Sequence, residues 1–216
     1  KEKDVNIKKD YFILKNFNLE IKSKEKVLIK GESGSGKSTL IDIILCLLKP
    51  SKGSLLYGGK NLHTNFAEQI SFQNQIGFIS QNQELRGSNL KEVYLNHNLN
   101  IQKIDRFQTE NIKKLLYKLK LEKIPLKDNN FMNLYFGDGL NKLSGGQRSR
   151  ILISTLLTTF YPIIIMDEPT SSLDKKTELF VMKNVLDLLK NSTVIIVSHS
   201  DKFDNLFDKV IDLNKI

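Results

Sequence analysis

A glycine-rich loop between two apolar runs constrains the fold of this chain more than any other feature. The loop, Gly31-Glu-Ser-Gly-Ser-Gly-Lys-Ser38, fits the pattern G-x-x-x-x-G-K-[ST] at every fixed position. A short β-rich run, Lys26–Lys30, precedes the loop, and the segment Lys37–Leu48, apolar on most faces, follows it and stops at Lys49-Pro50. This order of strand, loop and helix predicts an α/β fold in which backbone N–H groups and a helix N-terminus face an anion.

The residue types in this loop predict that the anion is a nucleotide phosphate chain. Glycines let the backbone wrap around phosphates, Lys37 can reach the β- and γ-phosphates, and the Ser38 hydroxyl can ligate Mg²⁺. A flexible Gly/Ser turn would explain the glycines but not the Lys-Ser pair in register. We therefore assign phosphate binding to Ser33, Gly34, Ser35, Gly36, Lys37, Ser38 and Thr39.

Continuous apolar runs elsewhere predict a parallel sheet between helices. Ile163–Met166 and Thr193–Val197 lack the polar alternation of a half-exposed strand, which is typical of strands buried on both faces. We further expect strands at Phe17–Ile21, Gly53–Gly59 and Ile76–Ser80, helical periodicity from Ser88 to about Lys120, and helices at Ile151–Phe160 and Lys175–Leu189.

Two adjacent acids end the apolar run Ile163–Met166. Such a strand delivers Asp167 to the carboxyl edge of the sheet, beside the phosphate loop, where it can hold Mg²⁺ through water. Glu168 then faces the γ-phosphate and can act as the general base for the attacking water. Alone, the pair could be a strand end meeting solvent. Together with the phosphate loop, it predicts a phosphate-hydrolysing site.

Further motifs complete a pattern known from one family. Leu143-Ser-Gly-Gly-Gln147 precedes the acids, Gln81 lies upstream of it, and Ser171–Asp174 and His199 follow. With these motifs the chain resembles, over nearly all of its length, the nucleotide-binding domain of an ATP-binding cassette (ABC) transporter. The resemblance implies a P-loop (RecA-like) α/β ATPase core with an N-terminal antiparallel β-region and an inserted α-helical subdomain. It also implies a single cassette, in which 1–81 and 161–216 form the core and 82–160 form the helical subdomain with the signature.

The resemblance implies that two cassettes close head to tail with ATP between them. The signature of one cassette would then bind the nucleotide held by the other cassette's phosphate loop, through Ser144, Gly145, Gly146 and Gln147. The partner would be an identical chain or a paired cassette. Asp174 would line their interface.

The same resemblance implies roles for the remaining polar residues. His199 would contact the γ-phosphate and hold the attacking water, acting with Glu168 and Lys37 in catalysis. Gln81 would touch the Mg²⁺ or the water and connect to the helical lobe. The family also stacks an aromatic residue on adenine; Tyr11 is the nearby candidate here, but it is equally readable as a strand residue.

Composition limits the partners. The net charge is +9, yet of 33 basic residues only Arg86, Arg106, Arg148 and Arg150 are arginine, which argues against a nucleic-acid partner. The single cysteine, Cys46, excludes a disulfide framework and a Cys-cluster metal site. No apolar stretch reaches the roughly 18 residues of a membrane span. The resemblance implies that a transmembrane domain, fused or separate, binds through the helical subdomain and the Gln81 loop, at the cytoplasmic face of the cell membrane.

Several classes of cassette remain as alternatives. Leu85–Glu92 and Gly137-Asp138 resemble segments of exporters, which favours export, whereas Leu140 and Pro169 depart from the exporter pattern and keep importer-type and free-standing cassettes open. A soluble cassette acting on ribosomes or nucleic acid would carry a second cassette or a long coiled coil, and no sustained heptads occur between Gln81 and Leu143. The intact catalytic motifs argue against a non-hydrolysing regulatory cassette.

Overall fold

A computed structural model describes residues 13–97 and 103–215 of the chain. Tyr11, the candidate for adenine stacking, lies outside the described residues. The strands are β1 (Lys26–Lys30), β2 (Leu56–Tyr57), β3 (Lys60–Asn61), β4 (Ile76–Ile79), β5 (Ile163–Asp167), β6 (Thr193–Val197) and β7 (Lys209–Asp212). The α-helices are α1 (Lys37–Ile44), α2 (Phe66–Gln73), α3 (Leu90–His97), α4 (Arg106–Lys118), α5 (Gly145–Leu156) and α6 (Lys175–Leu188).

Five parallel strands form the central sheet in the order β4-β5-β6-β1-β7. Their register aligns the carboxyl ends of three strands, because Val197 of β6 pairs with both Ile29 of β1 and Asp167 of β5. The segments that follow these strands therefore leave the sheet at one edge, which is where ligands bind in folds of this kind.

Both faces of the sheet are buried, as the continuous apolar runs predict. Val27 and Ile29 of β1 belong to a cluster that contains α1, whereas Leu28 between them belongs to the cluster formed with α3, α4, α5 and α6. The strands β5 and β6 divide between the two clusters in the same alternating way. The prediction of an α/β fold with a parallel sheet is confirmed.

The antiparallel part of the fold is smaller than expected. The strand β2 lies within the predicted strand Gly53–Gly59 and pairs antiparallel with β3, which follows that range, over two residues each. The predicted strand Phe17–Ile21 is wrong, since this segment has no strand structure. Phe17 and Ile21 are half-buried against the α1 cluster and Asn18 is exposed, so the alternation reflects one-sided burial without a ladder of hydrogen bonds.

Helix boundaries differ from the expected ones because of local capping. The helix α1 ends at Ile44, since Cys46 adopts a left-handed φ of 57° and the Leu47 and Leu48 amides both donate to the Asp42 carbonyl. The periodicity from Ser88 to Lys120 covers two helices, α3 and α4, and α4 begins at a capping box of Asp105 with Gln108. The helix α5 begins six residues before the expected Ile151.

Two regular elements, α2 and β7, have no counterpart in the expectations. The helix α2 carries few apolar residues on a defined face and buries only Phe72, and β7 is a half-exposed edge strand. Within 13–97 and 103–215, no helix combines the length and the apolar composition that a membrane crossing requires.

One lysine ties the amino edge of the sheet to the end of α6. The Lys26 ammonium donates to the carbonyl of Leu189, the residue that caps α6, at 2.8 Å, and to the carbonyls of Lys24 and Ser192. Burial lowers the pKa of Lys26, and the nearby Asp208 charge opposes that shift. The ammonium thus satisfies carbonyls at a helix C-terminus that have no other partner in the helix.

We expect Lys26→Met to lower the free energy of unfolding by about 1–3 kcal/mol, because it removes the ammonium donor from the partly buried carbonyls of Leu189 and Ser192. Among the described residues, only the Leu189 carbonyl has a further donor, the Ser192 amide. The matched control is Lys60→Met, which removes a lysine paired with Glu68 at the surface and should cost less than about 1 kcal/mol. Denaturant titrations of the three proteins compare these values. An equal cost for both variants would contradict the capping role of Lys26.

Candidate functional site

The glycine-rich loop needs glycine at the start of α1. Gly36 caps this helix with φ 96° and ψ 10°, a conformation that L-residues with side chains rarely adopt. A Cβ at Gly36 would also lie 2.8 Å from Ile13 Cγ2. Gly34 has a left-handed φ of 85° with open space around it, so backbone conformation alone selects glycine there. The loop is therefore built by local backbone geometry.

Lys37 lies buried against its own loop. Its ammonium donates to the carbonyls of Gly31 and Glu32 at 2.7 Å each. The Glu32 amide in turn donates to Asn214 Oδ1 at 2.8 Å, which fixes the first part of the loop to the end of the described chain. The Ser35 Oγ atom is buried without a hydrogen-bond partner among the described residues. Charge and donor groups are thus concentrated inside the loop.

The remaining loop residues lie toward solvent. Ser33, Gly34 and Ser38 are exposed. Thr39 lines a groove of about 810 Å³ together with Ile13, Ile43 and Pro50. This groove adjoins the start of α1 on its apolar side.

Three predicted residues from three strands meet at one carboxylate. Gln81 follows β4, Glu168 follows β5 and His199 follows β6. Gln81 Nε2 donates to Glu168 Oε2 at 3.0 Å, and His199 Nε2 lies 2.6 Å from Glu168 Oε1. The Glu168 side chain is 11% exposed, whereas that of His199 is 50% exposed. The carboxylate is therefore largely buried, and the imidazole that contacts it reaches solvent.

The backbone of Glu168 is held in an uncommon conformation. Its φ of 49° lies in the left-handed region, which costs a non-glycine residue of order 1 kcal/mol. The Glu168 amide donates to the Val197 carbonyl at 3.0 Å, so the hydrogen-bond pattern of the sheet extends one residue past β5. This bond and the following Pro169 fix the point at which the chain turns and the carboxylate leaves the sheet.

Asp167 is half-buried next to Glu168. Burial, and then the Glu168 charge, raise the pKa of Asp167, while Lys37 and His199 act in the opposite direction. No hydrogen bond from a described residue reaches its carboxylate. An anion in this setting is stabilised by a cation, and carboxylate and hydroxyl oxygens, as at Asp167 and Ser38, are ligands that Mg²⁺ accepts.

Among the residues described, no three His, Cys, Asp or Glu side chains form a cluster that could hold a metal by themselves. This donor set fits Mg²⁺ bound chiefly by phosphates and water with one or two protein ligands, which is its usual mode in nucleotide sites. It does not fit a metal held by the protein alone.

The signature segment starts α5 with a capping box. Ser144 Oγ accepts from the Gln147 amide at 3.3 Å, and the Ser144 amide donates to Gln147 Oε1 at 2.9 Å. Ser144 is exposed, and because its oxygen is the acceptor in this pair, its O–H can still donate outward. The sequence contains the signal for this box, a serine followed three residues later by glutamine, which our expectations did not use.

Gly146 brings α5 against the segment that follows Glu168. A Cβ at Gly146 would lie 2.8 Å from Leu173 Cδ2 and 3.2 Å from the Ser172 carbonyl oxygen. One turn further along α5, the Ser149 and Ser172 hydroxyls hydrogen-bond at 2.7 Å. Asp174 then caps α6 by accepting from the Lys176 and Thr177 amides. Hydrogen bonds from the Thr177 side chain, and then from the Thr177 amide, lower the pKa of Asp174. The start of α5 and the start of α6 are therefore one packed unit.

A cleft of about 680 Å³ separates the residues after β4 from the start of α5. Gln81, Asp167 and Glu168 line one side, and Gly145 and Ser172 line the other. Within one chain, the start of the signature helix and the acidic residues therefore border one cleft, and no residue of the loop 31–38 lines that cleft.

Comparison with known proteins decides the family. Residues 14–171 match the model of the family described as ABC transporter. The chain belongs to this ABC transporter family. It is therefore an ATP-binding domain of the ABC ATPase type, and at that level the predicted function is confirmed.

Individual relatives agree with this assignment. An uncharacterized ABC transporter ATP-binding protein of Methanocaldococcus jannaschii is 34% identical over 93% of this chain and 86% of its own length. A lacticin-481/lactococcin-DR transport/processing ATP-binding protein of Lactococcus lactis is 39% identical over 93% of this chain and 27% of its own. The glutathione/L-cysteine transport system protein CydC of Haemophilus influenzae is 30% identical over 92% and 33%.

The chain spans about a third of the length of the ATP-binding/permease relatives that it matches first. The solved structure of a bacterial Atm1-family ABC exporter with ATP bound has the same fold, with a TM-score of 0.75 at 23% identity, over 96% of this chain and 35% of that chain. This likeness supports the fold assignment for the whole described chain.

We expect Gly146→Ala to destabilise the protein by about 1–2 kcal/mol, because the new methyl group overlaps Leu173 and the Ser172 backbone. The matched control is Gly145→Ala, where the nearest atom is Ser172 Cβ at an ordinary 3.7 Å. That variant should be neutral or more stable by up to about 1 kcal/mol, since alanine is the better helix former. Thermal and denaturant unfolding compare both with the parent; a reversed order would contradict the packing at α5.

Proposed function

We propose that this chain hydrolyses ATP with Mg²⁺ as a head-to-tail dimer and powers export through a transmembrane domain. The observation that carries the hydrolytic part is the contact of Glu168 with both Gln81 and His199, at the sheet edge that also bears the phosphate loop. A carboxylate held by a donor on each oxygen has a fixed direction, which a general base for water attack requires.

Glu168 accepts a proton from the water that attacks the γ-phosphate. For this to happen, one of its two contacts must give way to the water, and we assign this step to His199, whose side chain is 50% exposed. The imidazole then hydrogen-bonds the γ-phosphate or the water, while Gln81 keeps the other carboxylate oxygen in place. The Lys37 ammonium exchanges the Gly31 and Glu32 carbonyls for β- and γ-phosphate oxygens.

Ser38, Asp167 and Gln81 would hold Mg²⁺ together with the phosphates of ATP. When bound, it would neutralise the charge that develops on the phosphate oxygens during transfer. The cost of a half-buried Asp167 anion beside Glu168 is consistent with a site built to receive a cation.

The signature acts on the nucleotide of the second cassette. Ser144 offers an outward hydroxyl, and the first amides of α5, at Gly145 and Gly146, form the positive end of a helix that attracts phosphate. The loop 31–38 has no residue in the cleft next to this helix start, which favours a γ-phosphate supplied by another chain. Asp174, as the cap of α6, lies in the same dimer interface.

The transmembrane partner binds the helical subdomain, 82–160, next to the Gln81 loop, at the cytoplasmic face of the membrane. The core consists of 1–81 and 161–216. The names of fused ATP-binding/permease relatives, among them a macrolide export protein of Bartonella quintana, favour export. An importer-type cassette is the alternative, and Pro169, which departs from the exporter pattern, favours it.

Glu168→Gln should lower steady-state hydrolysis by about 10²–10⁴, because an amide cannot accept the proton of water. It leaves the phosphate loop unchanged, so ATP binding should persist and trap the dimer. Phosphate release and sedimentation with ATP and Mg²⁺ measure the two effects. Turnover within about threefold of the parent would remove Glu168 from the role of general base.

Ser144→Arg tests the arrangement between chains. A bulky side chain at this position should leave ATP binding to a monomer unchanged but abolish ATP-driven dimerisation and hydrolysis together. Mixing this variant with Lys37→Ala, which lacks the phosphate-binding ammonium, creates dimers with one sound site. If that site acts alone, activity returns on mixing the two inactive proteins.

The control for Ser144→Arg is Ser144→Ala, which removes the same hydroxyl without adding bulk. Nucleotide-dependent dimerisation that survives in Ser144→Arg while hydrolysis fails would contradict the head-to-tail arrangement. Unchanged dimerisation and hydrolysis in Ser144→Ala would show that bulk at this position, and not the loss of the Ser144 contact, is responsible for the defect of Ser144→Arg.

A further inference from the structure

Lys30, the last residue of β1, directly precedes the phosphate loop, 31–38, and forms ion pairs with two aspartates. Its ammonium lies 2.8 Å from Asp201 Oδ1 and 2.9 Å from both carboxylate oxygens of Asp204. The Lys30 side chain is 14% exposed, whereas those of Asp201 and Asp204 are 88% and 41% exposed, so the lysine is covered and the two carboxylates reach solvent. The two carboxylates raise the pKa of Lys30, and Lys30 lowers that of Asp201.

Both aspartates belong to the segment that follows His199. They lie in a single 3₁₀ segment, Asp201–Leu206, which begins two residues after the histidine. The same segment buries Phe203 completely in the core. Lys30 therefore connects the strand that ends at the phosphate loop to the segment that ends the histidine turn.

The histidine turn is held at its other end by the same strand. The Ser198 amide donates to the Ile29 carbonyl at 3.2 Å, and the Ser200 amide donates to Ser198 Oγ at 3.1 Å. His199 thus sits on a short turn with Ile29 fixing the chain before it and Lys30 fixing the chain after it. The imidazole itself reaches Glu168, on the opposite side from Lys30.

The neighbouring charges have partners of their own. Lys209 pairs with Glu25 at 3.1 Å and Lys215 pairs with Asp212 at 3.5 Å, and these side chains border the same surface groove as Lys30. Removal of the Lys30 ammonium would leave Asp201 and Asp204 without the cation that the structure gives them. Two carboxylates near each other would then favour an outward movement of the segment.

We propose that Lys30 is a positioning residue for His199. Its ion pairs with Asp201 and Asp204 set the turn so that the imidazole meets the Glu168 carboxylate. The inference rests on the proposed function of His199 in ATP hydrolysis. Lys30 touches neither the nucleotide nor Glu168, so it acts on chemistry only through the histidine turn.

The first test needs no nucleotide. Amide hydrogen exchange should rise at least about fivefold in the segment 199–206 of Lys30→Met, and not in 31–38, because only the former loses its ion pairs. Lys30→Arg keeps the charge and should exchange like the parent. Lys26→Met, which changes the first residue of the same strand, is the control for a general loss of stability. Unchanged exchange at 199–206 in Lys30→Met would overturn the proposal.

The second test separates turnover from binding. Lys30→Met should lower kcat for ATP by about tenfold through a displaced imidazole, while ATP affinity stays within about twofold. Lys30→Arg should recover kcat to within about threefold of the parent. A loss of ATP affinity equal to the loss of kcat would mean that the substitution acts on the phosphate loop and not on His199.

The third test is a double substitution. In a His199→Ala background, Lys30→Met should reduce the residual single-turnover rate by less than about twofold, because the residue on which it acts is gone. A full tenfold loss on top of His199→Ala, or an equal loss in Lys26→Met, would overturn the proposal. If the parent chain hydrolyses no ATP, the proposed function fails, and the exchange experiment still decides whether Lys30 holds the turn.

Discussion

The parallel pairing of β1, β5 and β6 is the constraint on which the site depends. Val197 pairs with Ile29 on one side and with Asp167 on the other, so three strands end at the same level. A shift of one residue in either pairing would exchange the two buried faces of a strand, because side chains alternate along it. Both faces are closely packed by apolar residues, and the position of the catalytic groups is therefore fixed by the hydrophobic core.

Local capping then sets how each functional segment leaves the sheet or enters a helix. Gly36 in a left-handed conformation starts α1, Ser144 starts α5 and Asp174 starts α6. In the last two cases the residues that serve the proposed dimer interface also satisfy backbone amides of their own helix. Helix capping and the proposed interface thus favour the same residue types. Ser144 and Asp174 stabilise the starts of α5 and α6 even in a single chain without a partner.

Much of the sheet and of the site could be predicted because the signals were local. The Val and Ile runs of β5 and β6 report burial on both faces, and the loop before Lys37 combines a fixed spacing with flanking elements of the right kind. The prediction of a strand at Phe17–Ile21 was wrong, because alternating burial does not require a strand. The helix α2 was missed because it carries few apolar residues on a defined face, although Asn65 provides a local N-cap. The Lys30 and Asn214 contacts had no signal, since each joins residues far apart in sequence that only the fold brings together.

The geometry of Lys37 indicates how nucleotide binding connects these parts. Its ammonium is already desolvated by the Gly31 and Glu32 carbonyls, so the exchange of these neutral acceptors for charged phosphate oxygens carries little further desolvation and strengthens each bond. The exchange frees the carbonyls at the end of β1, directly after Lys30. The ion pairs of Lys30 with Asp201 and Asp204 join the strand end next to the phosphate loop to the segment that follows His199. On the proposed function, β1 therefore links the residues that bind the nucleotide to the residue that acts on the attacking water.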